Sequence, residues 1–245
     1  MGIGKKFIEL FSGVEEFFDK IVELFTTNEY LELIFTGLGY TFLISFFAAI
    51  LGLILGTLVA ICTISKSKNF IIKILKGICK VYIIIIRGTP MALQLFIMVF
   101  AIFAIRGFPV VITAILAFGI NSGAYVAENI RAGILSVDIG QTEAGRALGL
   151  SNKITMIKIV IPQAIKNVIP AIGNELVALI KETSIVSMIG LVDLTQAAKI
   201  IGAGNNLASY VVPMVSVAVF YLAIVYLLTF GIKLIEKRLR ASDKR

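Results

Sequence analysis

Histidine is absent from this 245-residue chain, and cysteine occurs only at Cys62 and Cys79. Both cysteines sit inside or beside apolar runs, and no histidine is there to join them. They read as core filler, and no metal set is expected. Charged residues are scarce, 16% of the total against 58% hydrophobic, and the mean hydropathy is +0.98. That balance excludes a soluble globular domain and requires lipid as the solvent. No G-x-x-x-x-G-K-[ST] phosphate loop occurs, because neither Gly140 nor Gly149 continues into Gly-Lys-Ser/Thr. A basic start followed by a short apolar stretch and a small-residue cleavage site is also missing, so no cleaved signal is expected.

The apolar residues fall into runs long enough to cross a hydrocarbon core of about 30 Å, where only helices satisfy their own backbone groups. The expected fold class is therefore all-α and integral to the membrane. The runs cover residues 33–64, 71–105, 108–127, 168–191 and 210–232. The first carries Ala48, Gly52, Gly56 and Ala60 at every fourth position, a face that lets another helix approach closely. The second exceeds one straight span and is interrupted at Arg87, Gly88, Thr89 and Pro90, so it is one kinked helix or two. Counted once, it makes about five spans.

Lys66, Lys68, Lys73 and Lys76 follow the first run, and Arg131, Arg146, Lys153, Lys158 and Lys166 lie between the third and fourth. Lys233, Lys237, Arg238, Arg240, Lys244 and Arg245 end the chain, whereas the opposite loops hold only Arg106 and Lys199. This bias places the N-terminus outside and the C-terminus inside. It also accounts for the net charge of +8, so no nucleic-acid partner is inferred. Three regions follow: an acidic segment at 1–32, a transmembrane domain at 33–235 and a basic cytoplasmic tail at 236–245. In the first, Phe7, Leu10, Phe11, Val14, Phe17, Phe18 and Ile21 recur at helical spacing. That suits an amphipathic helix on the outer surface or a leader packed on the first span.

Residues 128–166 form the one long polar stretch, too long for a turn and too well patterned for a linker. Asp138 with Gln141 three residues later has the form of a capping box, and helix formers run through Glu143, Ala144, Arg146, Ala147 and Leu148. Gly149 supplies the stop, Ser151 can cap a second helix, and Pro162 ends or kinks it. The unit is a helix-turn-helix at the cytoplasmic surface. It has no nucleophile paired with a base, so it suits docking rather than catalysis, or it merely connects two spans.

The order Glu143, Ala144, Gly145, then Gly149, then Ile159, Ile161 and Pro162 resembles the EAA loop of ABC importer permeases. Gly145 stands for that loop's second alanine and Ile161 for its leucine. Arg87-Gly88-Thr89-Pro90 followed by Gln94 is similar to the RGTP segment of the permeases for polar amino acids, the histidine, arginine and glutamine type. Residues 127–134 and Lys181-Glu182-Thr183-Ser184 resemble two further stretches of that family, in the same order.

The resemblance implies a coupling element built from Glu143, Ala144, Gly145, Arg146, Ala147, Leu148, Gly149 and Pro162, lying between the third and fourth spans. It implies a separate ATPase subunit dimer that binds ATP and magnesium, leaving this chain without a cofactor or catalytic residues of its own. A second permease subunit, identical or different, is implied, as are an extracytoplasmic binding protein, an amino-acid substrate and a bacterial cell membrane location.

Charges inside spans cost about 2.5 to 3.5 kcal/mol each, so they need a partner or a water-filled cavity. In the fourth run Asn174, Glu175, Lys181 and Glu182 interrupt apolar sequence, and Glu175 and Glu182 share a helical face. They are candidates for substrate contacts, with a carboxylate meeting an amino or cationic group and Lys181 meeting a carboxylate. Pairing of Lys181 with another span is the alternative. Gln94 and Asn121 join the pathway candidates. Arg87, Thr89 and Pro90 break a helix at membrane depth, and Glu128 and Arg131 are spaced for an ion pair, so these five read as structural or gating. An ion-coupled secondary transporter is the rival reading, but no internal repeat supports it. A membrane adaptor would have little need for these charges.

Overall fold

A computed structural model describes residues 17–65, 67–203 and 207–241. Phe7, Leu10, Phe11 and Val14 of the expected amphipathic segment, Lys66, and the tail residues Lys244 and Arg245 lie outside the described residues. All regular structure described is helical. Helix α1 covers residues 17–26, and α2 follows after one residue as Asn28–Ile64. The expected boundary between 32 and 33 thus falls inside α2. Next come α3 (Phe70–Gly88) and α4 (Met91–Ile97), which continues as a π-helical turn at Met98–Ile102.

The interrupted second run is therefore two helices, bent by 110°. Thr89 is extended at φ −124° and ψ 148°, as the residue before a proline tends to be, and Pro90 caps α4. Helix α5 (Val110–Leu135) starts after Pro109 and carries Glu128 and Arg131 within it. The polar hairpin is α6 (Ile139–Ala147) and α7 (Asn152–Thr155).

Of the two expectations for Pro162, an end or a kink, the end does not occur. Helix α7 passes through a π-helical turn at Met156–Val160 into α8 (Ile161–Glu182), which tightens to 3₁₀ at Thr183–Ile189. Pro162 falls in the first turn of α8, just after a widened turn, where a missing N–H is readily accommodated. Helices α9 (Leu194–Ile201) and α10 (Leu207–Ala241) complete the order, and α10 runs through the expected start of the basic tail at 236.

Among the described residues, Asn28–Ile64, Val110–Leu135, Asn152–Ile189 and Tyr210–Leu239 are long and apolar enough to cross a membrane. The bent α3–α4 pair makes a fifth if it is one span.

The chain divides into two compact units, Met1–Ile44 with Ile180–Tyr226, and Ser45–Leu179 with Leu227–Arg245. In the first, Leu24, Ile34, Leu194, Ala198 and Val217 form a buried cluster. In the second, the small-residue face of α2 meets α5: a Cβ on Gly52 would stand 2.8 Å from the Ser122 side chain, and one on Gly56 2.6 Å from that of Val126. Glycine is what permits this approach. Val59, Ala60 and Ala127 continue the contact, with Cys79 packed beside them. Cys62 and Cys79 are both free thiols, each partly buried.

Candidate functional site

The hairpin of α6 and α7 is built by local capping. The Asp138 side chain accepts the Gly140 N–H at 2.8 Å, which starts α6. At its other end the Leu150 N–H reaches the Gly145 carbonyl at 3.1 Å and the Gly149 N–H reaches that of Arg146 at 3.0 Å, the paired bonds of a Schellman stop. Gly149 takes φ +80°, as that stop requires. Arg146 Nη1 then donates to the Leu150 carbonyl at 2.7 Å, and the Ser151 side chain accepts the Ile154 N–H at 3.3 Å to begin α7.

Gly145 is buried, and a Cβ there would stand 2.9 Å from both Ile159 and Thr155, so the hairpin closes where a side chain would hold it apart. The expected capping box is only half present. Gln141 Oε1 accepts from Gln163 Nε2 at 3.2 Å instead, tying α6 to α8. Outside these contacts Ile139 is 72% and Leu148 80% exposed, with Glu143, Ala144, Arg146 and Ala147 also exposed. The hairpin is a folded knob with an uncovered apolar crest.

At the α3–α4 elbow, Gln94 Nε2 donates to the Ile86 carbonyl at 2.8 Å, the Thr89 carbonyl at 3.1 Å and Thr89 Oγ1 at 2.8 Å. Its Oε1 accepts from Asn121 Nδ2 of α5 at 3.0 Å. One amide thus satisfies the carbonyls that Pro90 leaves without partners and fastens the bend to α5. Arg131 holds Glu128 by two hydrogen bonds, and Arg87 reaches the same carboxylate at 4.0 Å while lying 5.3 Å over the Tyr125 ring. The elbow and the end of α5 therefore share one charged cluster, which the sequence spacing showed only as the Glu128–Arg131 pair.

The fourth-span candidates are arranged differently. Glu175 is half-buried and borders a largely apolar cavity of about 230 Å³ together with Ser122 and Leu179. Asn174 and Lys181 are exposed, and Glu182 is half-buried at the end of α8.

Asp193 was missed by sequence reasoning. It is completely buried and caps α9, its carboxylate accepting the N–H groups of Thr195 at 3.0 Å and Gln196 at 2.9 Å and the Tyr221 hydroxyl at 3.2 Å. Burial raises its carboxyl above the usual aspartate range, while these hydrogen bonds pull the other way. The spacing of Asp193 and Gln196 was the available signal.

The signature of the family described as binding-protein-dependent transport system inner membrane components matches residues 52–241. The chain belongs to that family. This permease is 41% identical over 212 residues to the arginine transport system permease protein ArtQ of Bacillus subtilis, covering 86% of this chain and 94% of ArtQ. It is also 41% identical over 209 residues to the putative glutamine transport system permease protein GlnP of Rickettsia typhi, covering 84% and 92%.

Among solved structures, a chain of an amino acid ABC transporter matches the permease with a TM-score of 0.78 at 37% identity, over 88% of this chain and 98% of that one. A chain of the MetNI methionine ABC transporter, at 20% identity and a TM-score of 0.71, shares the fold. The sequence-based assignment to the ABC importer permeases is borne out, and the secondary-transporter reading is not favoured.

Proposed function

We propose that this permease carries polar amino acids into a bacterial cell across its cytoplasmic membrane, paired with a second permease subunit and driven by a separate ATPase dimer that binds ATP and magnesium. An extracytoplasmic binding protein delivers the substrate. The permease body is residues 33–235, with the acidic segment at 1–32 outside and the basic tail at 236–245 inside. The observation that carries this reading is the uncovered crest of the α6–α7 knob, Ile139 and Leu148, on a hairpin that is otherwise fully capped. An apolar crest on a rigid support suits a groove on the ATPase. Closure of the ATPase dimer would then push on α7, from which the helical path continues without a break to Ile189.

The elbow cluster of Arg87, Thr89, Pro90, Glu128 and Arg131 acts as structure and gate, and Gln94 and Asn121, pathway candidates from the sequence, are assigned to it as well because the Gln94 amide is engaged by protein groups. Glu175, Lys181 and Glu182 line the pathway, and Glu182 tilts the specificity toward a basic amino acid. Reconstitution with and without the ATPase and binding protein tests the class: uptake that proceeds without ATP hydrolysis would overturn it. For the site, Glu182→Gln is expected to weaken apparent affinity for a basic substrate by about tenfold to a hundredfold, the worth of one charge-assisted hydrogen bond. Unchanged affinity in an uptake assay removes Glu182 from the substrate path.

A further inference from the structure

Helix α3 has two unlike faces. Phe70, Ile71, Ile74, Leu75, Ile78 and Val81 are exposed along one side, and no residue of the helix is fully buried. Lys73, Lys76 and Lys80, spaced three and four apart, occupy the opposite side. There they line a pocket of about 470 Å³ with Ser65 and Ser67 of the α2–α3 turn. Lys76 Nζ donates to the Ser65 carbonyl at 3.3 Å, which draws the lysine row against the turn. The Ser65 and Ser67 hydroxyl oxygens accept the N–H groups of Ser67 and Asn69, so among the described residues their O–H protons remain for an anion.

The charge is uncompensated locally. No Asp or Glu occurs between residues 33 and 127. Among the described residues no carboxylate pairs with Lys73, Lys76 or Lys80, and Glu128 is already held by Arg87 and Arg131. The pocket also lies where a long apolar helix ends and an amphipathic one begins, the level at which acyl chains give way to headgroups.

We propose that Lys73, Lys76 and Lys80, with Ser65 and Ser67, hold the phosphate of an anionic phospholipid. The exposed apolar face of the same helix selects a lipid over a soluble anion, since it rests in the bilayer and keeps the lysine row at headgroup depth. Lysines placed there attract anionic lipids and discriminate against zwitterionic ones.

The test uses the full chain purified with its ATPase subunits, embedded in nanodiscs of equal phosphatidylglycerol and phosphatidylcholine, with retained lipid measured by native mass spectrometry. The wild type is expected to retain phosphatidylglycerol over phosphatidylcholine by about tenfold, Lys73→Gln/Lys76→Gln/Lys80→Gln to lose that preference, and the matching triple arginine variant to keep it. Equal retention of the two lipids by the wild type, or an undiminished preference in the glutamine variant, overturns the proposal. So does displacement of the retained lipid by soluble glycerol phosphate. Loss of ATPase co-purification in the glutamine variant with lipid retention intact would also overturn it and assign the lysines to a protein contact.

Discussion

Gly149→Val is expected to leave the permease inserted and bound to lipid but to cut ATP-driven uptake by about tenfold or more. Gly149 sits at φ +80°, where an L side chain costs about 1–2 kcal/mol and a β-branched one more. A Cβ there meets nothing within 4 Å, so the penalty is conformational and not a clash. The chain relieves it by abandoning the Schellman stop, which moves Leu148 and Arg146 relative to Ser151. A displacement of 1.4 kcal/mol is about a tenfold change in the population of the docked geometry. Gly149→Ala, with less strain, should fall between. The measurement pairs uptake with ATP hydrolysis in the same vesicles: hydrolysis persisting while uptake falls is the expected outcome, and fully coupled uptake by the valine variant would remove the knob from the coupling role.

Asp193→Ala is expected to destabilise the fold by about 3 kcal/mol, whereas Asp193→Asn should cost about 1 kcal/mol. Alanine leaves two part-buried backbone N–H groups and the Tyr221 hydroxyl without the acceptor that the buried Asp193 carboxylate supplies. Asparagine keeps one oxygen for the cap. The damage would spread, because the Leu194 N–H also reaches Thr41 Oγ1 at 3.4 Å and a Cβ on Gly37 would stand 2.7 Å from the Asp193 carbonyl oxygen. The start of α9 is thus wedged against α2 backbone to backbone. Thermal unfolding of the purified variants reads the difference, and an alanine variant as stable as the wild type would show that the buried carboxylate is dispensable.

Much of this was legible in the residues themselves. Long apolar runs require helices in lipid, the four-residue spacing of Ala48 to Ala60 marks a packed face, and Gly149 and Ser151 stop and start helices by rules that act within a few residues. The illegible parts depend on partners distant in sequence. Pro90 dictates that a helix breaks, but the 110° angle is held by Gln94 reaching back to Ile86 and across to Asn121. Gln141 fitted a capping box until Gln163, twenty-two residues on, claimed its oxygen. Pro162 read as an end or a kink, and the π-helical turn that lets the helix run on through it leaves no sequence mark. The burial of Asp193 belongs to the tertiary fold and leaves no mark in the sequence.

The length of α2 bears on how the permease meets bilayers of different thickness. Its 37 residues extend about 55 Å, whereas a hydrocarbon core of about 30 Å is crossed by about 20 residues upright and about 26 at a 40° tilt. Tilt alone does not consume the remainder. One face of the first turns of α2 packs on protein, with Ile34 buried beside Leu194 and Val217 and Leu38 against them, while Glu29, Glu32 and Phe35 on the other side are exposed. The apolar stretch from residue 33 to 64 still exceeds an upright crossing, so a thicker membrane can draw on it, up to the exposed Glu29 and Glu32, before a charge enters the acyl chains.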